Sequence, residues 1–150
     1  LDVFYDFYQG NKAVLKLVNH ILYYISESKT KSDAALAAAL QLKLTEVNGI
    51  KPILEYCVGC EKTEDLTYFS IENNGVLCKN CSQTEGYTYR VDHELIALMI
   101  ELLVTPVKNI KDRPFDEQKI TRVMDIMDHY ITYHLEHNLK TYTFYKEIKI

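Results

Sequence analysis

Tryptophan is absent from the 150-residue chain, and proline and glycine are scarce, at 3 and 5 residues. With 47% apolar and 25% charged residues, so little Pro and Gly excludes a disordered tail or a low-complexity linker. No apolar run approaches the roughly 18–20 residues that cross a bilayer, so no membrane partner is expected. The opening Leu-Asp-Val-Phe-Tyr-Asp-Phe-Tyr lacks the basic start and small-residue cleavage site of a secretory signal. It also lacks an initiator Met and so reads as the start of a piece of a longer chain. Positive charge is in deficit, at −4 net, which excludes a uniformly basic nucleic-acid binder but leaves room for a local patch. No phosphate-cradling Gly-rich loop, nucleophile elbow or His-Glu-x-x-His motif is present, so nothing argues for an enzyme or a small-molecule substrate.

What is present is helical periodicity around a short break. From Asn11, apolar residues at Val14, Leu15, Leu17, Val18, Ile21, Leu22 and Ile25 give a helical stripe over 11–27. Ser32 or Asp33 can cap a second helix over 33–48, with Gly49 as its C′ residue and Pro52 as a stop. Its alanines fit either close helix approach or high helix propensity. Leu66–Ile71 alternates like a strand, and Asn74-Gly75 fits a hairpin turn of type I′. Asp92 caps a helix over 93–104. Asp116, with a Phe115–Ile120 staple, starts another over 117–138. The tail Thr-Tyr-Thr-Phe-Tyr (141–145) alternates and is expected to dock back on the helices. The expected fold is mainly α: one helical domain (1–52 and 91–150) with an inserted four-cysteine ribbon of small β-hairpins at 53–90. Met99, Leu102, Val123, Met127 and Ile131 should lie in its core.

Cys57-x2-Cys60 and Cys78-x2-Cys81 are the sharpest chemical signal. Each turn aims two sulfurs at one centre, and Gly59 eases the first. Two such knuckles suit one structural Zn²⁺ per chain, and four thiolates leave no position for a reactive water. Two disulfides would need an oxidising compartment, a redox pair would be expected alone, and an iron–sulfur cluster shares the spacing. A ribbon this small has little core, so metal supplies most of its folding energy. Loss of Cys78 should unfold the ribbon and spare the helices.

Two weaker signals remain. His129, His134 and His137 fall in one helix with Asp125 and Asp128, where a partly exposed polar face is the simplest reading and a second metal or acid–base site the sharper one. Lys108, Lys111, Arg113, Lys119 and Arg122 outnumber Asp112, Asp116 and Glu117 in 106–122, which makes that stretch the candidate phosphate contact.

Gly49 and Pro52 before the first knuckle, Phe69 in the hairpin, Gly75 and Leu77 before the second, and Tyr130 and Leu135 in the last helix, followed by Lys140-Thr141, resemble the bacterial DNA-repair family RecO. The resemblance covers nearly the whole chain and corresponds to the region after that family's N-terminal OB-fold. Asn74-Gly75 departs from a frequent Gly-Gly pair, and Lys-Thr stands for the usual Lys-Ser. It implies a non-enzymatic, cytoplasmic mediator of recombinational repair. Such a mediator binds single-stranded DNA largely without sequence preference, anneals complementary strands, and loads recombinase with RecR and the single-stranded-DNA-binding protein. A zinc-stabilised protein adaptor with no DNA role is one alternative. A GATA-type finger is another, although Ser-Gln-Thr-Glu-Gly-Tyr after Cys81 is a poor start for its helix.

Overall fold

In the computed structural model the described residues are 17, 33–83, 86–110 and 113–148, with side chains through 134. The helix expected over 11–27 lies outside them except for Leu17, which is helical and half-buried against the core. Helix α1 spans Asp33–Val47 and buries Ala35, Leu36, Ala38, Ala39 and Leu42. Burial of three alanines on one side decides between the two readings of this stretch: they form a contact face for neighbouring helices. The helix ends in a Schellman motif. Gly49, at φ 75°, donates to Glu46 O and Ile50 donates to Thr45 O, which satisfies two terminal carbonyls.

Three antiparallel strands follow, β1 (Leu66–Ser70), β2 (Gly75–Cys78) and β3 (Thr88–Arg90), in the order β2-β1-β3. The hairpin departs from the expected type I′ turn. Asn74 is left-handed at φ 65°, whereas Gly75 does not have positive φ and is already paired with Ser70. Glycine is needed at 75 for space: a Cβ there would stand 2.4 Å from the Ile53 carbonyl oxygen, where residue 53 bridges to the strand.

Helix α2 (His93–Val104) starts at Asp92, whose Oδ1 accepts from Leu95 N at 2.8 Å. A single helical turn, α3 (Val107–Ile110), follows Pro106. Helix α4 (Glu117–Ile148) begins at Asp116, which accepts from the amides of Gln118 and Lys119. It continues through 141–145, so the tail does not form an extended segment. Neither Gly nor Pro occurs in α4 to stop it, and the alternating stretch extends the helix.

One apolar core collects Leu36 and Leu42 of α1, Met99 and Leu102 of α2, Val123, Ile126 and Met127 of α4, and Phe69, Ile71 and Val76 of the sheet region. Ile131 is only half-buried, because the inward stripe of α4 runs instead through Ile120, Val123, Ile126, Met127 and Tyr130. The cysteine-bearing end of the sheet forms a smaller cluster of Cys57, Leu77 and Cys78. The ribbon therefore shares its apolar face with the helices, a feature the small-ribbon expectation missed.

Tyr130 joins the layers. Its ring meets Phe69 edge-on at 5.6 Å and its hydroxyl donates to Ile50 O at 2.6 Å, at the exit of α1. Burial pushes its phenol up to about 12. An unfolded tyrosine ionises near 10, so this residue's contribution is intact below pH 10 and declines as the pH rises towards 12. Tyr130→Phe should leave the Ile50 carbonyl without its donor and cost about 1–3 kcal/mol in urea unfolding at neutral pH.

Candidate metal centre and basic face

The first knuckle is set by the segment that runs beside β2. Val58 N donates to Val76 O at 3.0 Å and Ile53 N to Asn74 O at 2.8 Å, so the turn at 58–60 is anchored to the strand edge. Glu61, at φ 66°, reverses the chain, and its amide donates to Cys57 O. Cys78 closes β2, and Cys81 opens the short 3-10 turn Cys81–Gln83. This arrangement brings all four Sγ atoms within 4.8 Å of one another, with Cys60 and Cys78 3.8 Å apart and no disulfide joining any of the four. Sulfurs at about 2.3 Å from a central ion form a tetrahedron with edges of about 3.8 Å, so the donor set fits a metal.

Electrostatics agree with that geometry. The amides of Gly59 and Cys78 both donate to Cys57 Sγ at 3.3 Å. Burial raises the Cys57 thiol, but backbone amides of Cys78, Cys60 and Gly59, with the Cys81 side chain, outweigh it and bring the pKa to about 6. Cys78 is also lowered, chiefly by the Cys81 backbone amide. Cys81 is pushed up to about 12, first by the Cys78 side chain and then by those of Cys57 and Cys60. Some protons leave easily and the last resists, held first by hydrogen bonds among the sulfurs and then by burial and the charge on Cys57. A cation between them removes that resistance. Gly59 has a second use beyond the turn: a Cβ there would lie 2.9 Å from Cys81 Sγ. Among the described residues a 3-10 turn, Cys81–Gln83, and no α-helix follows the second knuckle, where a GATA-type finger would need a helix.

The basic stretch is less positive in space than in sequence. Arg113 pairs with Glu101 at 2.6 Å and Lys119 pairs with Glu94, both acids projecting from α2. Glu94 holds the Lys119 ammonium above its ordinary range. Lys111 lies outside the described residues. Lys108 and Arg122 are exposed and in no ion pair among the described residues. Arg122 donates to Arg90 O at 3.2 Å and lies over the Tyr89 ring at 5.3 Å. Counting charges along one segment could not reveal acids supplied by another helix.

The histidines separate. His129 Nδ1 is 2.8 Å from the Tyr89 hydroxyl, and its ring meets Tyr87 and Tyr89 edge-on. His134 packs on Tyr130 and Tyr133. The His137 side chain lies outside the described residues. Among the described residues, the four cysteines are the one group of three or more ligand side chains close enough to share an ion. Sequence reasoning also missed Lys43, whose ammonium caps α2 through the Leu103 and Thr105 carbonyls at 2.8 and 2.7 Å. Burial lowers its pKa against the pull of Glu46. Nothing in a lone lysine on a helix signals such a partner.

Comparison with known proteins places this architecture. DNA repair protein RecO of Alkaliphilus metalliredigens is 25% identical over 85% of the chain and 52% of its own length. RecO of Caldicellulosiruptor bescii is 22% identical over 99% of the chain and 60% of its own length. RecO of Pelotomaculum thermopropionicum is 30% identical over 73% and 43%. The chain thus spans about half the length of these curated relatives. No solved structure gives a significant match. The family described as Recombination protein O C terminal matches residues 1–143, and the chain belongs to that family.

Proposed function

We propose that this chain is the zinc-stabilised helical part of a RecO-type mediator of DNA repair and recombination. In this reading it acts without catalysis in the bacterial cytoplasm. It binds single-stranded DNA largely without sequence preference and promotes annealing of complementary strands. With RecR and the single-stranded-DNA-binding protein as partners, it helps load the recombinase. The supporting observation is the match to the recombination family across residues 1–143. An adaptor with no DNA contact draws support from a different fact, the pairing of Arg113 and Lys119 with glutamates.

The ion in this reading is Zn²⁺, bound by Cys57, Cys60, Cys78 and Cys81 in a closed, structural site. Support for a single ion over an iron–sulfur cluster comes from the close approach of the sulfurs, all within 4.8 Å, since a cluster's own atoms would spread them apart. When bound, the metal supplies cross-linking of the two knuckles and no chemistry on a substrate.

Elemental analysis of protein purified without chelator should give one zinc per chain and no iron. Because Phe69, Ile71 and Val76 belong to the helical core, Cys78→Ser should lower the melting temperature of the whole domain. Survival of a native helical transition in that variant would show that the ribbon is energetically separate. Gly59→Ala, which crowds Cys81, should weaken zinc about tenfold or more in a competition with a chromophoric chelator.

Titration of a labelled single-stranded oligonucleotide distinguishes the two functional readings. Binding should fall in the range of about 10⁻⁴–10⁻⁶ M and weaken as salt rises. Absence of binding at low salt would favour the adaptor.

A further inference from the structure

Four side chains on the side of β3 facing α4 form a row that the basic stretch does not explain. Tyr87 is 64% exposed, although its carbonyl is fixed by Ile71 N at 3.0 Å. Its ring meets His129 edge-on at 5.2 Å, and His129 is hydrogen-bonded to the Tyr89 hydroxyl. Tyr89 in turn lies under the Arg122 guanidinium. The row thus runs from an open aromatic ring to a cation, with both ends in solvent and the middle locked. A cleft of about 440 Å³ continues from it, lined by Arg90, Asp92, Gln118, Lys119 and Arg122 among others.

The chemistry is that of a single-strand binder. A base has a π-face that stacks on an exposed aromatic ring whatever its identity, and an adjacent guanidinium takes the phosphate. Arg90 and Arg122 form no ion pair among the described residues, unlike Arg113 and Lys119. Of the acids nearby, Asp92 is exposed in the same cleft with Oδ1 accepting from Leu95 N, Glu94 is paired with Lys119, Glu72 lies against Gly86 beside Tyr87, and Asp125 is exposed three residues along α4 from Arg122. These carboxylates thin the positive field, so stacking has to carry a large share of binding.

We propose that Tyr87, with the His129–Tyr89–Arg122 row behind it, is a single-stranded DNA subsite in which Tyr87 stacks on a base and Arg122 holds a neighbouring phosphate. The proposal rests on the reading that this protein binds DNA, and adds where it does so. Two phosphates met by Arg122 and Arg90 give a slope of log K against log salt of about −1.4, using about −0.7 per phosphate.

The test uses the full chain, a labelled oligothymidylate, and an abasic strand of the same length, read by anisotropy at several salt concentrations. Parent protein should prefer the oligothymidylate over the abasic strand. Tyr87→Ala should weaken oligothymidylate binding about tenfold and erase that preference, while Tyr87→Phe, which keeps the ring, should restore both. Arg122→Gln should reduce the salt slope by about 0.7. Unchanged melting temperatures would tie these losses to contact and not to folding. If parent binds but Tyr87→Ala binds equally well, the subsite is wrong and the DNA reading stands. If parent binds the abasic strand or a duplex as tightly as the oligothymidylate, stacking is wrong. If parent binds none of these strands, the DNA reading and the subsite fall together.

Discussion

Four cysteine sulfurs held within 4.8 Å of one another cannot all ionise easily unless a cation lies between them, and the surrounding backbone is arranged to hold them there. The strand edge of β2 anchors the first knuckle, Gly59 leaves space for Cys81, and Glu61 turns the chain away in a left-handed conformation. Amides aimed at Cys57 Sγ favour ionisation there before any metal arrives. The protein spreads the cost of gathering these charges over backbone hydrogen bonds, which orient the sulfurs as a metal site needs.

That site is not an appendage. One end of the three-stranded sheet carries the sulfurs, while Phe69 and Val76 of the same sheet enter the core of the helical part. Tyr130 couples the layers from α4, touching Phe69 with its ring edge and the exit of α1 with its hydroxyl. Lys43 ties α1 to the end of α2 by occupying carbonyls that no helix can satisfy internally. Strain introduced at the metal therefore passes along β1 and β2 into the helix interfaces, and the unit is expected to melt cooperatively.

Local signals were legible in the sequence because their physics is local. Asp92 and Asp116 cap the helices whose starts they marked, and Gly49 adopts the φ its position required. The cysteine spacing announced the thiol cluster because two intervening residues let a tight turn aim both sulfurs at one centre. What escaped was tertiary. Gly75 looked like a turn residue but serves the approach of Ile53, a segment more than twenty positions earlier. Arg113 and Lys119 looked free until α2 supplied Glu101 and Glu94. The alternation at 141–145 suggested a separate tail, but five residues are too few to outweigh an uninterrupted helix.

The charge balance can be judged on the same spatial footing. A net charge of −4 repels a polyanion at long range, which would count against DNA contact if the protein acted as a single point charge. At physiological salt the screening length is about 8 Å, so a strand lying on the surface responds to the groups beside it and hardly to the far side of the domain. Around Arg122 those groups are Arg90, the Tyr89 ring, the Lys119–Glu94 pair and the exposed carboxylates of Asp92 and Asp125, with the open Tyr87 ring at the far end of the row. Stacking is short-ranged and insensitive to net charge, so an aromatic surface flanked by two unpaired arginines can hold a strand that the whole molecule does not attract. A cationic segment whose charges are answered by glutamates has no such advantage, even though it is the more conspicuous feature of the sequence.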